Sequence, residues 1–307
     1  MKKITFIFYF IALITGTHLQ SSAQSPAPYS YADDPYFAND YTYELGASIG
    51  TMNCFTDLGG RKGNGKNFIK DINFRNSQFA GSIYFIASYR YFISVRMEGT
   101  FGRVKAADNA LKKISSSSPY RYQRNLSFRS TINEITLVTE IHPVYFKRFT
   151  KDEKLPRYSP YMVAGVGYFS FNPKAKINKS WVELKPLSTE GEGFSEYPDR
   201  KPYKLKQINF PLGLGVKYKV SPNFNASVEC VSRILHTDYL DDVSTNYIDK
   251  EIFAKYFTGV KLADALRLND RKHEIDPSLT TATNEQRGNP NKNDSYFTIN
   301  FKLGYLF

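Results

Sequence analysis

Phe297-Thr298-Ile299-Asn300-Phe301-Lys302-Leu303-Gly304-Tyr305-Leu306-Phe307 are the last eleven residues of the chain. Read as a strand, they place Phe297, Ile299, Phe301, Leu303, Tyr305 and Phe307 on one face. Thr298, Asn300, Lys302 and Gly304 fall on the other. A period of two is the mark of a β-strand with one apolar face. The same alternation runs through residues 42–51, 78–88, 92–104, 132–142, 160–172, 205–220 and 224–235. It is clearest in 92–104, where Ile93, Val95, Met97 and Phe101 alternate with Ser94, Arg96, Glu98 and Thr100. In 160–172 the pattern leaves the facing open. The expectation is eight strands.

What the apolar faces meet decides the architecture. In a soluble sandwich they form the core and the charges face water. In a membrane barrel they face lipid and the other face lines the lumen. Tyr and Phe gather near strand ends on the apolar faces, as interfacial girdles require, while Gly, Ser and Thr crowd the opposite faces. The connections are also sorted by length. Those after the second and sixth strands are only residues 89–91 and 221–223, and residues 142–159 are intermediate. Those after the odd strands, 52–77, 105–131, 173–204 and 236–296, are long. Short turns on one side and long loops on the other are the outer-membrane pattern, with the turns periplasmic. The chain therefore reads as all-β, an eight-stranded antiparallel transmembrane β-barrel with both termini in the periplasm. A soluble sandwich is the rival.

Composition agrees. Aromatic residues make up 16% of the 307, which does not fit disorder, and two cysteines exclude a disulfide scaffold. The one long apolar run, Ile4 to Ile14, is eleven residues, whereas a membrane-spanning helix needs about 20. Preceded by Lys2-Lys3 and followed by Ser21-Ser22-Ala23, it reads as a signal peptide over residues 1–23. Residues 24–40, with Pro26, Pro28 and Pro35, read as an irregular periplasmic leader, and residues 41–307 as the barrel. The net charge of +12 becomes +10 without Lys2 and Lys3. No compact basic helix accompanies it, so attraction to lipopolysaccharide phosphates explains the sign better than nucleic acid does. Residues 248–268 have helical spacing within the last loop. Ser115–Ser118 is a short polar run within another loop.

Strand parity sends Glu44, Glu98, Glu134, Glu140 and Glu229 into the lumen with Arg96, Lys217, Arg233 and Lys302. An eight-stranded barrel is only wide enough inside for side chains, so these charges should pair and plug it. The pairing expected sets Glu98, Glu134 and Glu229 against Arg96, Arg233 and Lys217. An ion path or proton-transfer pair is the functional alternative.

There is no Gly-x-Ser-x-Gly elbow, no His-Glu-x-x-His pair and no phosphate loop. His236, Asp238, Asp241 and Asp242 cluster, and three carboxylates have the chemistry for Ca²⁺, but the spacing is not that of an EF-hand. Turn formation and capping explain them more simply. His142, before Pro143, reads as a turn residue, and Cys54 and Cys230 fall on non-adjacent strands. No catalytic residue, cofactor or metal is expected.

Six stretches besides the strand pattern resemble the PorG-like barrel family of Bacteroidetes outer membranes. They are Tyr43-Glu44-Leu45-Gly46, Phe171-Asn172-Pro173-Lys174-Ala175, Thr189-Glu190-Gly191-Glu192-Gly193, Tyr197-Pro198-Asp199-Arg200, residues 213–218 and residues 238–245. Arg287-Gly288-Asn289-Pro290 also fits. The resemblance implies a non-enzymatic component of the type IX secretion system that contacts a periplasmic ring of a lipoprotein and its partner. The contacts would then lie on the periplasmic side. Candidates are the leader, the turn Tyr89-Arg90-Tyr91, and residues 145–158 with Arg148, Phe149, Arg157 and Tyr158, since aromatics and Arg are enriched at binding hot spots. For Tyr145 and Phe146 an aromatic belt at the inner interface is an equal alternative. The rival functions are a stand-alone surface barrel that binds a ligand or stabilises the membrane, and an outer-membrane lipid-modifying enzyme.

Overall fold

The computed structural model describes residues 34–59, 76–109, 111, 119–150 and 153–307. The expected signal peptide, the leader up to residue 33 and the Ser115–Ser118 run lie outside the described residues. Eight strands form the wall: β1 (Tyr41–Phe55), β2 (Gln78–Tyr89), β3 (Ile93–Ala107), β4 (Ser127–Ile141), β5 (Tyr158–Ser170), β8 (Lys206–Lys219), β9 (Phe224–Leu235) and β10 (Ser295–Leu306). A short hairpin, β6 (Pro173–Ile177) and β7 (Ser180–Glu183), lies between β5 and β8. Each wall strand pairs antiparallel with the next, and β1 pairs with β10 from Glu44↔Leu306 to Phe55↔Ser295. The sheet closes on itself, so no edge is left open.

Alternation sets what each wall residue meets. Ile83, Leu214, Ile49 and Ile135 point outward with 60% to 71% of their surface exposed. A continuous belt of large exposed apolar side chains has no stable counterpart in water; it fits hydrocarbon. In β5 the facing left open by the sequence is resolved, with Met162, Val166 and Tyr168 outside and Tyr161, Val163 and Phe169 inside. Inside, two tyrosines lie flat over glycines of neighbouring strands. A Cβ on Gly46 would stand 2.4 Å from the Tyr84 ring, and one on Gly215 2.4 Å from that of Tyr161. Small residues thus make room for large ones across the lumen.

Rings encircle the end that carries Tyr41 at the start of β1 and the C-terminal Phe307. Tyr41 and Tyr89 have centroids 5.2 Å apart, Tyr158 and Tyr218 4.8 Å, and Phe224 and Tyr305 5.2 Å. Phe307 joins the ring at 6.1 Å from Tyr43. This is an interfacial aromatic girdle.

Four expectations need correction. The loop expected over 105–131 is shorter at both ends, because β3 continues to Ala107 and β4 starts at Ser127. Val104, Ala106, Phe128 and Ile132 keep pointing inward there and are buried in a core above the lumen. The eight expected strands are joined by two more, because the connection over 173–204 carries the β6–β7 hairpin. The leader is not wholly irregular, since α1 (Pro35–Ala38) begins at Asp34, whose carboxylate caps the Tyr36 N–H at 3.0 Å. Lastly, the helical spacing over 248–268 is split into α3 (Phe253–Tyr256) and α4 (Gly259–Asn269), with Gly259 at φ +57° at the break. The other described helix, α2 (Pro119–Arg124), precedes β4.

Candidate functional site

The lumen holds the nine charged side chains in one buried array. Arg96 is its centre, with its guanidinium 3.0 Å from Glu98 and 2.7 Å from Glu229 and a further contact to Glu140. Lys302 lies 2.7 Å from Glu98 and 3.3 Å from Glu229. Arg233 lies 3.1 Å from Glu134 nearer the loops. Lys217 does not meet Glu229 or the other two acids expected of it. It lies 3.2 Å from Glu44 and 3.5 Å from Glu140, because Ser227 rather than Glu229 is its register partner, one pair closer to the turns. His142 stands at the turn that follows β4, as its place before Pro143 suggests, but its side chain turns inward. It is buried, stacked on Tyr161 at 5.0 Å and hydrogen-bonded to Ser159 at 2.9 Å. The space left at the turn end of the lumen, between Glu44, His142, Lys217 and Lys219, is about 30 Å³. That is room for a water or two, not a conducting path.

At the turn end residues 34–40 fold over the mouth. Asp34 pairs with Lys219 and accepts a hydrogen bond from the Tyr91 hydroxyl at 3.2 Å. Tyr36 sits among Tyr91, Tyr145 and Phe149 at 5.5, 5.9 and 6.3 Å, and its oxygen accepts the Phe149 N–H at 3.2 Å. Arg90 grips Asp40 through two bonds of 2.8 and 3.0 Å. Arg90 and Tyr91 both have positive φ, 47° and 60°. Such turns strongly favour Asn-Gly, so an Arg-Tyr pair there holds strain that its anchors to the leader offset. Of the partner candidates, Tyr89 and Tyr158 belong to the girdle, and Tyr91 is tied to Asp34 and Lys219. Arg148 and Arg157 are exposed on the surface of this end.

The long loops form a folded cap rather than free arms. Phe171, Leu187, Phe194, Tyr203, Leu240, Val243, Ile248, Phe253 and Leu268, from two loops, share one core with Phe128, Phe169 and Tyr296 of the strands. Beside it lies a buried polar network. Glu190 accepts from the backbone N–H of Ser244 and Thr245 and from Arg287 at 2.9 Å. Arg287 also donates to the Asp242 carbonyl at 2.7 Å, and Asp242 accepts from Thr189 and Tyr203 at 2.6 Å each. Arg200 donates to the carbonyls of Glu190 and Asn246, and Arg124 to that of Arg287 and to Asp108. Asp241 accepts from Val243 and Leu58, the turn-forming role its spacing suggests.

Among the described buried side chains of the cap, carboxylates (Asp108, Glu190, Glu192, Asp238, Asp241, Asp242, Asp270 and Asp294) outnumber cations (Arg124, Lys272 and Arg287). Burial and neighbouring acids push Asp238 up to about 9 and Asp241 to about 8, and Glu192 likewise to about 8. Neither oxygen of Asp238 has a hydrogen bond, though Ser244 stands close enough to offset part of the burial. Among the described residues no three His, Cys, Asp or Glu side chains are placed to hold a metal ion. The sequence signals for this network were Glu190-Gly191-Glu192 in one loop and Asp241-Asp242 and Arg287-Gly288, 45 residues apart, in the last. Their convergence needs the register of the whole barrel.

A family model described as Domain of unknown function (DUF6089) matches residues 36–251, from the leader turn into the last loop. The chain belongs to the DUF6089 family. No curated protein matches it. Among solved structures, this DUF6089 barrel is similar to Ail, the attachment invasion locus protein of Yersinia pestis, in complex with the heparin analogue sucrose octasulfate. Identity is 8%, coverage 87% of this chain and 97% of that one, and the TM-score 0.34. It is also similar to Neisserial surface protein A (9% identity, 87% and 97% coverage, TM-score 0.35). The E. coli outer membrane protein W gives 12% identity, 87% and 97% coverage, and a TM-score of 0.33. The strand register and the exterior of this chain themselves define an eight-stranded barrel of the outer-membrane type.

Proposed function

We propose that this DUF6089 barrel is a non-conducting, non-enzymatic outer-membrane anchor of the type IX secretion apparatus, with its turn end in the periplasm and its cap outside. The observation that carries the reading is the closure at both ends. The lumen is filled by paired charges, the turn end is covered by the leader, and the loops are packed over the other mouth. A barrel closed in this way offers surfaces rather than a passage. The turn end supports contact with a periplasmic partner, because Arg90-Tyr91 holds strained backbone in place and exposed Arg148 and Arg157 flank a packed aromatic cluster. The assignment to type IX secretion rests on the sequence resemblance.

Purification of the intact barrel from outer membranes under mild detergent tests this reading. The periplasmic ring lipoprotein is expected to co-purify. Recovery of the folded barrel without it, from cells that secrete type IX cargo, would overturn the reading in favour of a stand-alone surface barrel.

A further inference from the structure

The outer wall differs from side to side at its loop end. On β1, β2 and β9 the outward residues there are Phe55, Phe79 and Ile234, and the ring of Phe55 lies 5.2 Å from that of the buried Phe297 on β10. On β3, β4, β6 and β8 the corresponding outward residues are Arg103, Lys105, Arg129, Lys174 and Lys206. Lys105 faces Arg129 directly across the ladder, and Arg129 faces Lys174. Like charges in direct cross-strand pairs repel, so this row is unfavourable unless an anion joins it.

The wall itself supplies little. Lys174 has Glu183 at 2.7 Å, and the Arg129 guanidinium lies 3.8 Å from the centre of the Trp181 ring. Among the described residues, Arg103, Lys105 and Lys206 have no carboxylate partner.

Directly below this row the same wall is hollowed. A trough of about 590 Å³ runs from Lys206 past Tyr168, Ile135 and Phe101 to Ile83. Glycine makes it: a Cβ built on Gly99 meets nothing within 4 Å. Its surface is largely apolar and lies within the belt that faces hydrocarbon. Cations above an apolar trough match an amphiphile with an anionic head and an acyl tail. Lys105, Arg129 and Lys206 sit on the outer face of the wall strands, not in the lumen, so the anion that suits them is one the membrane presents. Lys105 and Arg129 share one ladder row, whereas Lys206, on the row of Ser170, Asn133 and Phe101, stands at the head of the trough. Cations at two levels of the wall exceed what a single phosphodiester reaches, and two phosphates on one headgroup match them better.

We propose that this wall holds phosphorylated lipid A, its phosphates against Lys105, Arg129 and Lys206 and one acyl chain in the trough. The proposal rests on the reading that the loop end faces outward, where that lipid resides.

The test uses the full chain purified in detergent, with thermal unfolding and native mass spectrometry as readouts. The ligands are bisphosphorylated lipid A, its dephosphorylated form, phosphatidylglycerol and inorganic phosphate. Lipid A is expected to raise the unfolding midpoint and to remain bound through desalting. The triple variant Lys105→Gln/Arg129→Gln/Lys206→Gln should bind it at least ten-fold more weakly, and a charge-matched variant of the cap, Lys201→Gln/Lys261→Gln/Lys292→Gln, should bind as wild type. Equal binding by the wall variant overturns the proposal, as does an equal response to dephosphorylated lipid A, phosphatidylglycerol or phosphate alone. Orientation is read separately, by labelling Lys261→Cys on intact cells with an impermeant thiol reagent. Failure to label removes the outward reading while the detergent result still judges the site.

Discussion

Arg287 and Glu190, 97 residues apart in the chain, form an ion pair of 2.9 Å with both side chains buried. One lies in the last loop and the other in the loop before β8, so the pair fastens the cap across the barrel mouth. Glu190 in addition takes two backbone N–H groups of residues 244 and 245, which leaves neither partner unsatisfied.

Breaking this pair should open the cap and spare the wall. Arg287→Met leaves Glu190 and Asp242 facing each other without a cation, a loss of about 3–5 kcal/mol for a buried pair. Rapid proteolytic cleavage within residues 236–294 is expected, with the barrel band still shifting on heating in gels. A cap as resistant as wild type would refute the fastening role.

The cap should weaken in base. Asp238, Asp241 and Glu192 lie at about 9, 8 and 8 in the folded protein, above about 4 in an unfolded chain. The folded state therefore holds the extra protons. That stability is complete below pH 4 and is lost as pH rises through 8 to 9. Cap proteolysis should thus quicken between pH 7 and 9.5, less so in Asp238→Asn. A cap that tightens over this range would contradict the sign.

Much of this was readable in the chain and part was not. Period-two alternation in 92–104 and 297–307 marks wall strands and sets Arg96, Glu98 and Lys302 on the inner face, though Lys219 at the end of β8 went unread. It says nothing about which charges meet across the barrel. Lys217 and Glu44 are 173 residues apart, and their contact follows from the register of intervening strands. The cap was hidden for a related reason. Tyr203, Leu240 and Ile248 are isolated apolar residues in polar loops, with no period to betray a shared core. The positive φ at Arg90 and Tyr91 had no glycine to announce it.

The lumen plug predicts electrical silence. Wild-type barrel in planar bilayers should show no steady conductance. Arg96→Met leaves Glu98, Glu140 and Glu229 without their shared cation and should cost about 3–5 kcal/mol in urea unfolding. Porin-like channels in the wild type would disprove the plug.

Closure depends on the last strand. Phe307 exchanges both backbone hydrogen bonds with Tyr43, and Phe301 faces lipid opposite Ile49. Deleting Phe307 should lower the amount of folded barrel in the outer membrane. Phe301→Lys, near the midplane, should cost about 2–4 kcal/mol and do the same. Undiminished heat-modifiable barrel from both variants would argue against this.

The most direct test of the anchor reading is secretion of type IX cargo by cells whose barrel carries Arg148→Glu and Arg157→Glu. Both side chains are exposed at the turn end, and the folded barrel in the outer membrane is measured alongside so that secretion is compared at equal amounts. Cargo in the medium should fall sharply while it accumulates in the periplasm. Normal secretion with both arginines reversed, and its loss when residues 173–204 of the cap are exchanged instead, would contradict the account and move the working surface to the opposite side of the membrane.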